Sequence, residues 1–516
     1  MKIIQPARLH GNGIPAAKAE DTYSFTLRRK PVAAVVLCVV ILLFPVWCAG
    51  QIITYSQPKK LTSRYPDFRI LGKNKEGALV YRYGRNSHLV DAYGRNLTLR
   101  WSKELNFKYA DVTVRKMEIY PEKTLVFYLT QQKGQTILAA EKWNARFSGD
   151  APAVILDTVR AGRYDAITVT RIASSLDKTR LIAYYPILKE DKSIDLRLIQ
   201  TDENLNILYR KTIEVSEADS AMLVRKVLPD NSGNVFVLLE RETDRTRKKV
   251  AGYDVFRIKW LTPEGSVEDI HFDFKRPVFR KLYIEADNVN HSLIAAGFYT
   301  NDAGEEAQGY FYFVYDLNSR TVTSAYYMEF TSDLIFEVTG KDASKNVKGF
   351  YSFEVYDLVL RQDGGAIFIA ESRFTTEENT QIATFTPSIG PSFRTINIYY
   401  YNDIILLSVF PDGKLDWSRV LRKKQISEDD DGFFSSFCTL VTGSKLRFIY
   451  NEEIYPKTDV SQYTVDRAGN IDRKFLFNAG DKNVSIIPRL GMQISANEIL
   501  IPSWRRSALS FVKITY

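Results

Sequence analysis

The chain has 516 residues, of which 45% are hydrophobic and 25% charged, and its formal net charge is +9. This composition excludes disorder as the default state and supplies enough apolar material for a large core. Aromatic residues reach 13%, and flat rings pack well on the half-buried face of a sheet, so the composition favours an all-β fold.

The N-terminal 50 residues differ in kind from the rest. Residues 31–47, PVAAVVLCVVILLFPVW, are almost wholly apolar and follow the basic sequence LRRK. Small residues at Cys48 and Gly50 predict a secretory signal that is cleaved after Gly50. Two alternatives remain open: an uncleaved membrane anchor, because the apolar run is near the lower length limit for a spanning helix, and a lipoprotein modified at Cys48. Each of the three predicts export to the periplasm, the outer membrane or the cell surface.

Removal of residues 1–50 has two consequences for the remaining chain. It takes away six basic and two acidic residues, so the net charge falls from +9 to +5. A charge this modest gives no case for nucleic acid, which usually needs a concentrated basic face. Only Cys438 of the three cysteines remains, so no internal disulfide is expected.

From residue 51 onward, two kinds of strand recur. One is a near-continuous apolar run, the pattern of a strand buried on both faces. Its eight copies begin at Gly77, Thr124, Arg180, Asn234, Ser292, Ala366, Lys445 and Glu498. The other is a hairpin of two alternating strands around a tight turn, as in SVFPDGKLDW from Ser408. The mean spacing of about 60 residues is somewhat above the 40 to 50 of typical propeller blades.

We therefore predict an all-β protein in which residues 51–516 form a single β-propeller of four-stranded antiparallel blades. Eight blades are expected and seven are the alternative, since weak first or last copies could merge; a pair of stacked β-sandwiches is the other architecture considered. The last copy, Ile487 to Tyr516, has room for three strands. A segment near Ile52 to Thr62 is expected to donate the fourth and close the ring. No amphipathic helix is predicted after residue 51.

Loop lengths separate two faces of the predicted ring. If the strands of a blade are called A to D, the A–B and C–D turns are short, and the long connections are nearly all B–C or D–A loops. We call these ends the short-turn face and the long-loop face. Binding usually resides in long loops on a rigid scaffold. The functional surface is therefore expected in three consecutive long loops, Thr331 to Gly349, Arg373 to Thr395 and Lys423 to Phe434.

Catalytic motifs are absent from the sequence. No HExxH, G-x-S-x-G, Walker or G-x-G-x-x-G pattern occurs, and the histidines after residue 50 are isolated. Cys438 lies in an apolar strand-like context, which indicates a buried, inert thiol.

Charged candidates for binding cluster just after the hairpin at Ser408. The acidic run from Glu428 to Asp431, before Gly432, is the best candidate for a cation such as Ca2+, which needs several converging carboxylate oxygens. Its expected ligands are Asp429, Asp430 and Asp431, and a solvated loop is the alternative. A basic run precedes it, and the two signs side by side predict a bipolar patch that orients a charged partner. The patch comprises Arg422, Lys423, Lys424, Glu428, Asp429 and Asp431.

Aromatic candidates lie in and after the longest B–C loop. Phe385, Phe393 and Tyr399 are anchors of the kind found at interfaces, although strand packing would also explain the tyrosine.

The segment from Tyr399 to Glu453 resembles a recurrent block in secreted, propeller-like envelope proteins of Bacteroidota-type bacteria. The shared order is an Asp-Ile strand, a D-G-K hairpin ending in Trp, a K-K-Q run and an acidic-glycine loop. Here these are Asp403 and Ile404, Asp412 to Trp417, Lys423 to Gln425, and Asp429 to Gly432. The resemblance implies a propeller fold and an extracytoplasmic location, and it implies no activity.

Two functions follow as expectations. The first is a non-catalytic binding or scaffold protein whose long-loop face binds a protein or glycan partner of the cell envelope. The alternative is a propeller hydrolase or lyase acting on polysaccharide or peptide, with acidic loop residues as acid and base. A convergent pair of carboxylates in the central channel would favour the enzyme.

Overall fold

The computed structural model describes residues 51–61, 67–84, 87–149, 152–160, 166–191, 193–216, 222–241, 256–276, 278–300, 306–342, 347, 349–382, 392–454 and 458–516. The predicted signal or anchor lies outside these residues. Within them, no helix is long and apolar enough to cross a membrane.

Strands dominate the described residues. In chain order they are β1 (Ile52–Tyr55), β2 (Lys59–Lys60), β3 (Phe68–Asn74), β4 (Gly77–Tyr83), β5 (His88–Tyr93), β6 (Leu99–Glu104), β7 (Thr113–Ile119), β8 (Lys123–Gln132), β9 (Gln135–Asn144), β10 (Val154–Arg160), β11 (Arg171–Ser174), β12 (Arg180–Leu188), β13 (Ile194–Asp202), β14 (Ile207–Ser216), β15 (Met222–Pro229), β16 (Val235–Arg241), β17 (Phe256–Leu261), β18 (Val267–Ile270), β19 (Val278–Asp287), β20 (Ser292–Tyr299), β21 (Gly309–Asp316), β22 (Thr321–Glu329), β23 (Phe353–Leu360), β24 (Ala366–Ile382), β25 (Ser392–Val409), β26 (Leu415–Leu421), β27 (Gln425–Glu428), β28 (Phe437–Val441), β29 (Lys445–Asn451), β30 (Asp459–Asp466), β31 (Ile471–Asn478), β32 (Met492–Ser495), β33 (Glu498–Arg505) and β34 (Ala508–Thr515).

These strands form eight antiparallel sheets, numbered here in chain order. Sheets 1 to 7 are meanders of four successive strands: β3–β6, β7–β10, β11–β14, β15–β18, β19–β22, β23–β26 and β28–β31. Sheet 6 carries β27 in addition, and sheet 8 has the order β32-β33-β34-β1 with β2 also on β34. Each predicted apolar run is the second strand of its sheet. It is apolar on both faces because neighbouring sheets cover both, as in β20, which is buried at every residue.

The cores lie between successive sheets. Each of eight hydrophobic clusters combines residues of one sheet with residues of the next. The eighth joins sheet 8 to sheet 1, through Leu500 and Phe511 on one side and Val80 and Tyr93 on the other. First strands of successive sheets also contact one another, including β32 and β3. Cyclic packing of four-stranded antiparallel sheets fits a β-propeller, so the all-β prediction is confirmed and the architecture agrees with it.

The fourth strand of sheet 8 comes from the other end of the chain, as the sequence predicted. β1 pairs with β34 from Ile52 opposite Thr515 to Tyr55 opposite Val512. Ile53 and Tyr55 pack against the core between sheets 7 and 8, whereas Ile52 is 58% exposed. The pairing covers an edge of β34 that would otherwise be open to other chains.

One helix, α1 (Ser332–Thr339), contradicts the expectation that no amphipathic helix follows residue 51. Thr331 caps it, since its side chain accepts a hydrogen bond from the Leu334 amide, and Gly340 ends it in a left-handed conformation. Leu334 and Ile335 are buried between sheets 5 and 6. A helix of eight residues contains only about two turns, too few for a periodic pattern to stand out in the sequence.

The hairpin at Ser408 is the structural turn that the sequence predicted. Asp412 and Gly413 connect β25 to β26, and the Asp412 carboxylate accepts a hydrogen bond from the Lys414 amide. Gly413 has φ +87°, and a Cβ there would lie 2.4 Å from the Cβ of Tyr326. Glycine is therefore required by both backbone conformation and close packing.

Glu498 links sheets 8 and 1 next to the borrowed strand. Its carboxylate lies 2.5 Å from Lys73 Nζ and 3.0 Å from Lys513 Nζ. Burial by itself would raise the pKa of Glu498. The hydrogen bonds from the two lysines outweigh this effect and lower the pKa to about 2.

We therefore expect Glu498 to make folding stability depend on pH. A carboxyl whose pKa is depressed in the folded state contributes stability that is complete above its unfolded pKa of about 4.5 and is lost as pH falls towards 2. The shift corresponds to at most about 3 kcal/mol. Urea unfolding from pH 6 to pH 2 of the wild type and Glu498→Gln measures it. The two stability curves should converge at the acid end, and parallel curves would contradict the assignment.

Candidate functional site

The loop predicted from Arg373 to Thr395 is a β-hairpin. Past a bulge at Ser372, β24 and β25 remain paired from Arg373 opposite Tyr401 to Ile382 opposite Ser392. The two strands thus continue beyond the body of sheet 6 at the long-loop face, and we call the paired segments 373–382 and 392–401 the arm. Phe374 and Tyr400 stack across it with ring centroids 4.5 Å apart. The prediction of a loop here was wrong in structure but right in placing an elaboration at this connection.

A third strand covers the base of the arm. β27 pairs with β25 from Gln425 opposite Tyr401 to Glu428 opposite Ile398. Its side chains alternate, with Gln425 and Ser427 buried and Ile426 and Glu428 exposed. The basic run that precedes it therefore leads into a strand that clamps the arm.

A buried ion pair fixes this clamp. Lys423 Nζ lies 2.9 Å from Glu371 Oε1, and the side chains of both residues are 3% exposed or less. Lys423 Nζ also donates to Tyr401 O at 2.7 Å and to Gln425 Oε1 at 3.0 Å. Ser436 Oγ donates to the other oxygen of Glu371 at 2.8 Å. The network joins β24, β25 and β27 to the start of sheet 7.

These contacts correct the prediction that Lys423 belongs to a bipolar binding patch. Burial lowers the pKa of Lys423, and the nearby Glu371 carboxylate opposes that effect. The side chain is inaccessible to a partner because it is fully buried, and its charge is compensated inside the protein by Glu371.

The flanking basic residues are exposed but differ in their contacts. Arg422 Nη1 lies 2.7 Å from Asp403 Oδ2, and Arg422 Nη2 donates to Glu337 O in α1. Lys424 is exposed and forms no ion pair with a described residue. Of the predicted basic run, Lys424 alone keeps its charge available to a partner.

The three aspartates of the acidic run face three different partners. Asp429 lies 2.5 Å from Arg394 of the arm, and Asp430 accepts hydrogen bonds from Ser427 Oγ at 2.6 Å and the Gly432 amide at 2.8 Å. Asp431 accepts from Tyr399 Oη at 2.8 Å. Among the described residues, no group of three or more His, Cys, Asp or Glu is arranged to hold a metal ion. Asp429 and Asp431 connect the turn to the arm and Asp430 bonds within the turn, so this geometry does not fit the predicted cation site.

The aromatic candidates have separate outcomes. The hydrogen bond to Asp431, with a smaller contribution from burial, raises the pKa of Tyr399 to about 12. Tyr399 therefore links the arm to the acidic turn. Phe393 belongs to β25, and Phe385 lies outside the described residues.

Cys438 is buried, and burial raises the pKa of its thiol, as expected for an inert cysteine.

A cavity of about 870 Å3 opens on the long-loop face beside the base of the arm. We call it the arm-side cavity. Four connections contribute to its wall, namely those after β26, β29, β31 and β33. The lining comprises Ile426, Ser427, Glu428, Asp430, Phe434, Asn451, Glu453, Ile454, Thr458, Ser485, Ile486, Trp504, Arg505 and Arg506.

Several lining groups have unused hydrogen-bonding or charge capacity. Glu428 and Glu453 are exposed and form no ion pair with described residues, and the same holds for Arg506. Asn451 is 3% exposed, and its side-chain amide donates to Phe434 O and Ile486 O. Its buried Oδ1 has no hydrogen-bond partner among the described residues. The cavity thus offers acceptors and a guanidinium beside the rings of Phe434 and Trp504.

Sequence reasoning missed most of this wall. Glu428 was a candidate, but Asn451 and Trp504 lie at the ends of β29 and β33, and Glu453 and Arg506 lie in the connections that follow these strands. The one available signal was the aromatic-basic sequence SWRRS at the end of the last apolar strand, which falls on the long-loop face.

Comparison with known proteins gives no family. No family model and no curated protein matches the chain. Among solved structures, a prolyl endopeptidase is 9% identical with a TM-score of 0.34, and the alignment covers 80% of this chain and 55% of that one. This chain therefore spans about half the length of that protein.

Two further structures align over most of their length. The polysaccharide lyase Uly1 is 9% identical with a TM-score of 0.36, covering 90% of this chain and 99% of that one. The soluble aldose sugar dehydrogenase of Escherichia coli is 9% identical with a TM-score of 0.29 over the same shares. At these scores the likenesses carry no argument about activity.

Proposed function

We propose that this chain is an eight-bladed β-propeller of the bacterial cell envelope that binds a protein or glycan partner at its long-loop face without catalysing a reaction. The observation that carries the proposal is the arm-side cavity beside a clamped, protruding hairpin. Closure of the ring by β1 supports the blade number, because the strand completes the eighth sheet and that sheet packs on the first.

Of the two partner classes, a glycan fits the arm-side cavity better. Sugars present hydroxyl groups that donate to carboxylates and amide oxygens, and an apolar ring face that packs on aromatic side chains. Glu428 and Glu453 supply the acceptors, and Trp504 and Phe434 supply the rings. The cavity is also concave, as sites for small ligands generally are.

The hydrolase or lyase alternative has less support. Glu118 and Glu285, two carboxylates on first strands, form ion pairs with Lys116 at 3.0 Å and Lys226 at 2.8 Å. Burial acts to raise the pKa of Glu118, but the charges of Lys116 and Lys178 prevail and lower it. A carboxyl held ionised in this way is poorly suited to act as a general acid at neutral pH.

Shortening the arm tests the proposed surface. Residues 379–395 are replaced by Asn-Gly, so that Glu378 and Ile396, which pair in the arm, flank a two-residue turn. Pairing of β27 with residues 398–401 is retained. We expect unchanged melting and at least a tenfold loss of binding to envelope polysaccharide, because the partner loses the surface beside the cavity. Calorimetric titration with fractionated polysaccharide measures this.

Cavity variants separate the two partner classes. Glu428→Gln with Glu453→Gln removes two exposed carboxylates, and Glu264→Gln on the short-turn face is the control. Loss of glycan binding in the cavity variant and not in the control supports the glycan. Recovery of an envelope protein by the wild type and the cavity variant alike, with no glycan bound by either, would overturn it.

Export is tested by the N-terminal residue of the protein recovered from cells. We expect Gln51, as the small residues at Cys48 and Gly50 predict. Recovery of a protein that still contains residues 31–47 would contradict cleavage and favour the uncleaved anchor.

A further inference from the structure

A second cavity, of about 900 Å3, lies on the short-turn face where sheet 8 meets sheet 1. We call it the seam cavity, because β1 closes the ring there. Ile52 and Thr54 of β1 line it together with Thr515, Glu498, Lys73 and residues from the turns of sheet 1. It is separate from the arm-side cavity, whose lining lies on the opposite face, and it plays no part in the proposed function.

Positive charge dominates the seam cavity. Its lining contains one carboxylate, that of Glu498, and five cationic side chains, Lys73, Lys75, Arg95, Arg100 and Lys513. Glu498 forms ion pairs with both Lys73 and Lys513. One negative charge therefore compensates only one of these two positive charges. Its lowered pKa keeps it ionised at neutral pH.

The remaining three cations are only partly compensated. Lys75 pairs with Glu122 outside the cavity. Arg100 donates to the Glu76 carbonyl at 2.8 Å, which carries no formal charge. The Arg95 guanidinium is exposed and has no hydrogen-bond or ion-pair partner among the described residues.

Part of the lining is already held in place. Lys513 is 5% exposed, and its Nζ donates to Arg95 O at 2.6 Å as well as to Glu498 Oε1. This hydrogen bond joins the C–D turn of sheet 1, which carries Arg95, to β34 of sheet 8. A cationic cavity with a partly fixed wall, an unpartnered guanidinium at Arg95 and a second guanidinium at Arg100 that has no counter-ion suits a tetrahedral oxyanion. Arginine binds such an anion through paired N–H groups and lysine as a point charge.

The position of the cavity relates it to the N-terminal segment. Ile52 follows the last residue of the apolar run, Trp47, by five residues, and five extended residues span at most about 18 Å. If the apolar segment is retained in a membrane, the seam cavity therefore lies within reach of the lipid headgroups.

We propose that the seam cavity binds a phosphate group, supplied either by an anionic lipid headgroup or by a soluble phosphate compound. The bound phosphate contacts Arg95, Arg100 and Lys75 and bridges sheet 1 to the sheet completed by β1. Occupation of the site thereby stabilises the closed ring, since a ligand that binds the folded state alone raises its stability.

The test compares two charge-matched triple variants of the full chain. Lys75→Ala, Arg95→Ala and Arg100→Ala alter exposed residues of the cavity. Lys142→Ala, Lys474→Ala and Lys482→Ala remove the same charge from exposed positions elsewhere. Inorganic phosphate is titrated calorimetrically at constant ionic strength, and melting is followed with and without it. We expect wild type and control to bind phosphate and melt at higher temperature with it, and the seam variant to bind at least tenfold more weakly.

Vesicle flotation distinguishes the two phosphate sources. Phosphatidylcholine vesicles with and without phosphatidylglycerol are used, so that any insertion of the apolar segment contributes equally to all variants. A lipid source predicts that the seam variant alone loses the preference for phosphatidylglycerol. Phosphate binding without a difference in flotation assigns a soluble compound.

A seam variant that matches the control in both phosphate titration and flotation would overturn the proposal. The double variant Arg95→Lys with Arg100→Lys guards against misfolding as an explanation. It keeps the charge, so we expect it to retain part of the phosphate binding that the alanine variant loses.

Discussion

Replacing Lys423 with methionine is expected to lower the free energy of unfolding by about 3–5 kcal/mol, because it leaves the Glu371 carboxylate buried without its cation. Glu371 is 2% exposed and lies 2.9 Å from Lys423 Nζ. Methionine preserves most of the side-chain volume, so the loss reports on the charge rather than on a cavity. Chemical denaturation at neutral pH measures it.

The double variant Lys423→Met with Glu371→Leu is the decisive comparison. Removing both charges takes away the uncompensated carboxylate, so most of the lost stability should return. Lys424→Met, one residue away and exposed, is the control and should change stability by less than about 0.5 kcal/mol. A Lys423 variant as stable as this control would show that the pair does not clamp the arm.

Removal of residues 1–57 is expected to lower the free energy of unfolding by about 2–4 kcal/mol and to make the protein associate. The truncation removes Ile53 and Tyr55, which are partly buried against the core between sheets 7 and 8. Full burial of such a side chain is worth about 1.5–3 kcal/mol, so partial burial contributes less than this for each residue. It also removes the hydrogen bonds between Ser56 and Phe511. The exposed edge of β34 can then pair with another chain.

A chain beginning at Gln51 is the matched control, and it should remain monomeric with its stability intact. Light scattering and denaturation of both chains make the measurement. Point variants refine it, since Ile53→Ser should destabilise the protein while Ile52→Ser, at a side chain 58% exposed, should not. Equal stability of the two truncated chains would mean that β1 does not hold the ring closed.

The second strand of every sheet was predictable because both of its faces are buried. A strand such as β20, with neighbouring sheets on both sides, must be apolar at consecutive positions. That requirement acts eight times along the chain and produces a visible repeat. The borrowed strand followed from the same pattern, since the last copy lacked a fourth strand.

The arm was not predictable as a hairpin, because its first strand has no apolar residues at alternating positions. The sequence TTEENTQ of β24 is polar at every position, so neither strand alternation nor an apolar run marks it. Its pairing depends on β25 and on the clamp from β27, which joins it from another connection.

The prediction for the basic run was wrong for Lys423 because the strand that follows the run buries polar residues and exposes an apolar one. Along β27 the polar Gln425 and Ser427 are buried and Ile426 is 42% exposed. Polar residues are placed inward when a hydrogen-bonding network receives them, here through Lys423, Glu371 and Ser436. This network forms between sheets 6 and 7 from residues far apart in sequence. The order of polar and apolar residues along the chain therefore does not predict it.

The strand borrowed from the N-terminus also sets the order of events while the chain is synthesised. Thr54 contacts Lys513, 459 residues further along the chain. During synthesis from the N-terminus, β1 must therefore stay without its partner until β34 has been made, and contacts so distant in sequence slow folding. Sheets 1 to 7 can assemble one after another during that interval. The packing of sheet 8 on sheet 1 forms only in the last step, so a polypeptide that lacks β34 would leave β1 unpaired and sheet 1 without its neighbour.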